Sequence, residues 1–218
     1  MKLTIFGGTG GVGTKLVDLA VDAGHDVTVV ARSPSKVPRA SDVTIVEAEL
    51  DDLESLTEAI AGADVVLSAL GARNNSPDQV ELFGNAIDRI TTIMEDHGVN
   101  RLVSISGAGM LLPGDTVDFG RKVVGVLLKV FAKWVSAAKQ REYEVIRETS
   151  LDWVLVRPPR IVDGEATGDY GVLGDRPPGN KITQGDVAHL MLSCIEGDEW
   201  VGKGPIPGYG KKTETRAA

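Results

Sequence analysis

The stretch MKLTIFGGTGGVG (residues 1–13) runs a short apolar strand directly into glycines at 7, 8, 10, 11 and 13. It satisfies G-x-x-G-x-x-G through Gly7, Gly10 and Gly13, and G-x-G-x-x-G through Gly8, Gly10 and Gly13. Helical spacing follows, with Leu16, Val17, Leu19 and Ala20 turned inward. A pyrophosphate rests on the free N–H groups of a helix start only where the backbone approaches it with no side chain between, so such a turn needs residues lacking Cβ. Thr9 adds a hydroxyl donor. The strand before and the helix after separate this pattern from a glycine-rich hairpin with the same letters.

Outward from that turn the chain alternates. Apolar runs at 2–6, 26–31, 43–47, 64–70, 101–106 and 152–157 read as strands buried on both faces, rich in Val, Ile and Leu without strict alternation. Helical stretches lie between them at about 11–24, 53–61, 79–97, 119–149 and 184–196. Asp51 with Glu54 reads as an N-terminal cap, and Gly24, Gly62 and Gly98 stand where helices should end. Regular alternation implies right-handed parallel crossovers. The expected fold is therefore α/β: a single doubly wound Rossmann domain over residues 1–210, with a mainly parallel sheet of six to seven strands and helices on both faces. The Gly-, Pro- and charge-rich tail from Trp200 suggests a last short edge strand and then disorder over 211–218.

With 218 residues, 42% hydrophobic and 25% charged, the chain can bury a full core. A net charge of −8 argues against nucleic acid or an anionic membrane as the main partner. The absence of a basic-then-apolar leader and of a long apolar run points to a cytoplasmic protein. Cys194, the single cysteine, lies among Leu190, Met191, Leu192 and Ile195 and reads as core. His25, His97 and His189 have no neighbouring ligand at helical spacing, so no metal is expected.

The second strand decides which dinucleotide is expected. An NAD site usually ends that strand with an acid that bonds the ribose hydroxyls and repels a 2'-phosphate. Here the sequence is VVARSPSK: Arg32 follows the strand and Lys36 lies one loop further, two cations where a 2'-phosphate would sit, which predicts NADP(H). After the third strand, Glu49 and Leu50 should approach the adenine, while Asp51, Asp52 and Glu54 read as helix-start residues. The fourth strand ends at Gly71, where the backbone can pass close to a cofactor; Arg73 beyond it either reaches a phosphate or acidic substrate or pairs with Asp78 or Glu81. The fifth strand delivers Ser104 and Ser106 to the same edge. After the sixth, Pro158 and Pro159 cannot continue a sheet, so the chain should turn out over the pocket and present Arg160. The run VGVLLKVFAKWV at 124–135 reads as core through Val124, Leu127, Leu128, Phe131, Trp134 and Val135, with a pocket wall or dimer face as the alternative because Val126 and Val130 extend the apolar surface.

Together GGTGGVG, ARSPSK, LGARN, SISGA and VRPPRIVDG resemble the atypical short-chain dehydrogenase/reductases, and within them the NmrA-like proteins and the biliverdin-IXβ reductase, or flavin reductase, branch. The likeness continues through TGDY at 167–170 and GDVAHLMLSCIEGDEW, to about residue 201. It implies NADPH-dependent hydride transfer to a flavin or bilin in a shallow open pocket, by a monomer or weak homodimer. The residues it implies at the cofactor are Thr9, Gly10, Gly11, Val12, Arg32, Lys36, Leu50, Leu70, Gly71, Arg73, Ser106, Pro158, Pro159 and Ile161, to which the glycine motif adds Gly7 and Gly13 and the strand reading Glu49. Ser106 and Arg160 would line the substrate face as the catalytic candidates. Three positions depart from the branch: Glu49 replaces its usual Asp, Arg160 replaces a histidine, and either Ser106 or Gly107 falls on its pocket serine. The broader family pairs Tyr-x-x-x-Lys for proton transfer, but Lys139 is preceded four residues earlier by Val135, and Tyr143 is followed four later by Arg147. Tyr143 therefore reads as a packing residue, and alcohol or ketone chemistry is disfavoured. Flavin reduction tolerates that loss; so does an alternative of another class, a non-catalytic NADP(H)-binding redox sensor.

Overall fold

The computed structural model describes residues 1–72, 74–118, 125 and 131–210. Lys2–Phe6 (β1), Asp26–Ala31 (β2), Thr44–Glu47 (β3), Val65–Ser68 (β4), Arg101–Ile105 (β5) and Asp152–Val156 (β6) form one sheet in the order β3-β2-β1-β4-β5-β6, every neighbouring pair parallel. The expected doubly wound α/β fold is what forms. Strand order reverses between β1 and β4, and at such a switch point the two exiting chains diverge and leave a crevice beyond the carboxyl ends of the strands.

Period-two side-chain alternation explains why the strands read as unbroken apolar runs: each strand feeds two cores. Ile5, Val29 and Val103 pack against Gly11–Asp22 (α1) and Gln184–Ser193 (α5) through Leu16, Val17, Val187 and Met191. Phe6, Val66 and Leu102 pack against Leu53–Ile60 (α2), Asp78–Asp96 (α3) and Lys133–Ile146 (α4) through Leu56, Ile90, Met94 and Tyr143. Cys194 belongs to the first core, where burial pushes its thiol up to about 11. Tyr143 packs edge-to-face on Trp153 with ring centroids 6.0 Å apart. Helix ends fall at Gly24, Gly62 and Gly98, with φ of 79°, 82° and 69°.

Several expectations need correction. Asp52, not Asp51, caps α2: its carboxylate accepts the N–H of Ser55 at 3.2 Å, the spacing that suits a cap directly before Leu53. The last edge strand does form, as Ile206–Gly208 (β10), which pairs antiparallel with Gly171–Leu173 (β8), while the residues just before it continue the main sheet: Lys203 bridges Val154 of β6 in parallel, and Leu155 and Arg157 donate their N–H groups to the carbonyls of Lys203 and Pro205 at 3.1 and 2.8 Å. A second small ribbon joins Arg160–Val162 (β7) to Lys181–Thr183 (β9) in parallel. These three-residue strands carry too little periodicity to be seen in sequence. Of the run at 124–135, Phe131 is 75% exposed, not core; it precedes α4, which begins at Lys133 after Ala132 at φ −134°. Trp134 is half-buried, with the Lys133 ammonium 4.4 Å from its ring centre. Val124, Val126, Leu127, Leu128, Val130 and the tail 211–218 lie outside the described residues.

Two buried ions tie the ribbons down, Arg157 to the sheet and Asp186 to α5. Arg157, at the end of β6 and wholly buried, forks onto Asp115 at 2.6 and 3.0 Å and also donates to the carbonyls of Met110, Gly174 and Gly204. Asp186, in the first turn of α5, accepts the N–H groups of Thr167 and Gly168 at 2.7 and 2.9 Å, the Thr167 hydroxyl at 2.9 Å and the Tyr209 hydroxyl. Burial works to raise the Asp186 pKa, but these donors, Tyr209 first, hold it below the ordinary carboxylate value. A depressed native pKa contributes stability above the unfolded value, near 3.9, that disappears as pH falls through the native one. Asp186→Asn is expected to lose ~2 kcal/mol at neutral pH in urea unfolding. The gap from wild type should narrow below about pH 4; a gap independent of pH would show that the charge contributes nothing.

Candidate active site

The crevice at the switch point is built mostly of backbone. Gly7 has φ +76°, and a Cβ there would lie 2.7 Å from the Ala69 carbonyl group, so the chains leaving β1 and β4 touch. A Cβ on Gly13 would lie 2.0 Å from the Gly7 carbonyl oxygen, which brings α1 directly onto the end of β1. Above Gly10 the space is open, with only the Gly7 oxygen 3.4 Å from a Cβ position. The first turn of α1 holds no acidic side chain and Gly10 offers no side-chain cap, so the N–H groups of Gly11, Val12 and Gly13 are turned out without a side-chain acceptor. By contrast, Asp52 caps α2 and Thr183 caps α5. Gly11 differs from Gly7 and Gly13: its nearest obstacle is no backbone but the side-chain amide of Gln184 on α5, 2.4 Å from a Cβ position.

Gly7, Thr9, Gly10, Arg32, Leu50, Leu70 and Gly71 line the crevice together. Phe6, Val30, Ala31, Ala48, Ala69, Gln79, Leu82 and Phe83 complete its walls, the last three from α3. Arg32 follows β2, and its side chain is 45% exposed; Glu49 approaches its Nε only to 3.8 Å, a loose pairing that leaves the guanidinium fork free. Lys36 closes the one-turn 3₁₀ helix Pro34–Lys36 and is exposed nearby in the chain.

The remaining expected residues sit further along the carboxyl edge, past β5 and β6. Ser106 donates its N–H to the Val156 carbonyl at 2.7 Å, and Ala108 donates to that of Pro158 at 2.9 Å, so Ser106 and Pro158 are brought together. The Ser106 hydroxyl points to the Met110 sulfur at 3.6 Å. Pro159 is half-buried, and Arg160 and Ile161 are exposed on β7, where Arg160 stands in register with Lys181. Arg73 lies outside the described residues. Ser104 does not reach the edge with Ser106: it is fully buried and donates to Glu142 at 2.5 Å, because its side chain falls on the helix-facing side of β5 opposite α4. Lys139 of α4, half of a missing Tyr-Lys pair in the sequence, donates to the carbonyls of Leu70 and Ile105 at 2.9 and 2.8 Å and to Glu142 at 2.8 Å. Among the described residues, no group of three His, Cys, Asp or Glu is placed to hold a metal ion, and no helix is long and apolar enough to cross a membrane.

Comparison with known proteins agrees with this geometry. A family model described as NAD(P)H-binding matches residues 7–198, from the glycine turn to beyond α5. The chain belongs to the NAD(P)H-binding family. Among its relatives, the uncharacterized protein YwnB of Bacillus subtilis is 27% identical over 206 residues, covering 91% of this chain and 94% of that one. A candidate NADH-flavin reductase of Streptococcus pneumoniae superposes with a TM-score of 0.73 at 26% identity, covering 95% and 98% of the two chains. A short-chain dehydrogenase/reductase of Veillonella parvula, solved in complex with NADP, shares the fold with a TM-score of 0.78 at 18% identity over 97% and 95%. The residues present in this NAD(P)H-binding protein suit the dinucleotide: uncapped N–H groups for the pyrophosphate, open space over Gly10, and two cations beyond β2.

Gly13 and Gly11 should answer differently to a methyl group. Gly13→Ala forces backbone apart and is expected to cost ~2–3 kcal/mol in thermal unfolding and to abolish NADPH binding, whereas Gly11→Ala meets only the free end of Gln184 and should cost under ~1 kcal/mol. Equal losses would mean that Gln184, too, is held rigidly.

Proposed function

We propose that this protein is an NADPH-dependent reductase acting on a planar, electron-poor acceptor such as a flavin or a bilin. The observation that carries the acceptor class is the state of Lys139. All three of its N–H donors are committed to Leu70, Ile105 and Glu142, and Val135 stands four residues before it in place of a tyrosine. No such pair is left to exchange a proton with an alcohol or ketone. A flat ring needs orientation against the cofactor and can take its proton from solvent. The S. pneumoniae neighbour, named for flavin reduction, supports the same class.

In this reading Gly7, Thr9, Gly10, Gly11, Val12 and Gly13 hold the pyrophosphate, and Glu49 and Leu50 flank the adenine. Arg32 and Lys36 hold the 2'-phosphate, which favours NADPH over the NADH of that neighbour's name. Leu70, Gly71, Arg73, Ser106, Pro158, Pro159 and Ile161 border the other half. Bound there, NADPH supplies the hydride. Ser106 orients the acceptor, and Arg160 attracts an acidic tail and stabilises negative charge that develops on the ring.

Following loss of reduced-nicotinamide absorbance with FMN or biliverdin should show turnover that prefers NADPH. Arg32→Ala is expected to weaken NADPH about 10- to 100-fold, the loss of one charge-assisted fork, while NADH changes less than about twofold. Equal effects on both would remove Arg32 from the 2'-phosphate. Tight NADPH binding without turnover on any flat acceptor would instead identify an NADP(H)-binding sensor, which the missing tyrosine equally permits.

A further inference from the structure

Beyond the last paired residues of β4 and β5, Ser68 opposite Ser104, the sheet ladder ends, and the two chains must part to form the crevice. One side chain bridges them there. The Lys139 ammonium donates to Leu70 on the β4 side at 2.9 Å and to Ile105 on the β5 side at 2.8 Å, with the Phe83 ring centre 5.0 Å away. Its third proton goes to Glu142, whose side chain is 2% exposed and whose other oxygen takes the Ser104 hydroxyl. A second tie joins the same loop to the same helix. Asn75 donates to the Phe131 carbonyl at 2.9 Å and accepts the N–H groups of Trp134 and Val135 at 2.8 and 3.3 Å, so it supplies the cap that Ala132 lacks at the start of α4.

We infer that Lys139, anchored by Glu142 and Ser104 and helped by Asn75, is the positioning residue of the nicotinamide half of the site: it fixes the backbone of Leu70 and Ile105 and sets the width of the crevice, and it does not exchange protons with the substrate. The fold has two mononucleotide halves; with the 2'-phosphate end of the cofactor at β2, the nicotinamide half falls to β4–β6, where this tie lies. Burying an ammonium there is tolerable because every one of its donors has an acceptor and its charge has a buried carboxylate beside it. The inference rests on the cofactor reading and not on the identity of the acceptor.

The test separates the two halves of the cofactor. The doubly neutral variant Lys139→Gln/Glu142→Gln avoids leaving one buried charge alone, and Asn75→Ala disturbs the same loop from its other end. Each is titrated with NADPH and with 2'-phospho-ADP-ribose, which lacks the nicotinamide, alongside thermal unfolding and hydrogen exchange. The expected result for the double variant is NADPH affinity down about tenfold, faster exchange at residues 70–72, and 2'-phospho-ADP-ribose affinity within about twofold; Asn75→Ala should show the same selectivity at about threefold. Equal weakening of both ligands, or of neither, would overturn the proposal. So would unchanged NADPH affinity with an altered pH profile of turnover, the mark of a proton-exchanging lysine. If the wild-type protein bound neither ligand, the cofactor assignment would fail instead.

Discussion

A helix can begin directly on top of a strand only if nothing but backbone lies between them. Here the Gly13 Cα rests against the carbonyl of Gly7, and Gly7 in turn rests against the chain leaving β4. That three-way backbone contact fixes the direction of α1, turns its first N–H groups into the crevice, and holds the two halves of the sheet in register at the switch point. The rest of the candidate site is arranged around it: Arg32 arrives because β2 is the neighbour of β1, and Leu70 and Gly71 arrive because β4 is the other.

Away from that contact, the molecule uses two kinds of cohesion. The sheet and its helices are held by apolar layers on both faces. At the carboxyl edge those layers reach only part of the ribbons, through Ile182, Tyr170, Val172 and Tyr209. Buried ions with full sets of partners hold it as well: Arg157 gathers the segments at 110–115, 174 and 204, Asp186 gathers 167–168 and 209, and Lys139 gathers the ends of β4 and β5. Each ion loses hydration on burial, and only geometry that satisfies every donor or acceptor makes that tolerable. The consequence is an edge defined by direction-specific bonds, stiffer at its anchors than its loop content suggests.

Charge is distributed to match. The chain as a whole is acidic, at −8, yet Arg32, Lys36 and Arg160 stand along the carboxyl edge with, among the described residues, only the loose Glu49 contact set against them. The carboxyl edge is therefore a locally cationic rim on an anionic body, an arrangement that favours anionic ligands at that edge over non-specific binding elsewhere.

Sequence alone determined the doubly wound fold, because its signals are local. Each of the six strands is a continuous apolar run, each helix carries its own periodicity, and the glycine spacing encodes a turn in which Gly10 and Gly13 close locally on Gly7. The cations after β2 and the loss of the tyrosine before Lys139 were legible for the same reason. What tertiary structure decided is where residues with ambiguous local context come to rest. Ser104 and Ser106 look alike in sequence, but alternation along β5 and the position of α4 bury the first against Glu142 and leave the second at the edge. Lys139 reads as half of a missing pair until two carbonyls, 69 and 34 residues away in the chain, prove to be its partners. Nothing local in the sequence sets Arg157 apart from Arg160, and only the convergence of three distant loops makes one a buried anchor and the other an exposed rim residue. Long-range hydrogen bonds leave no period in a sequence, since their partners are set by how the chain closes on itself.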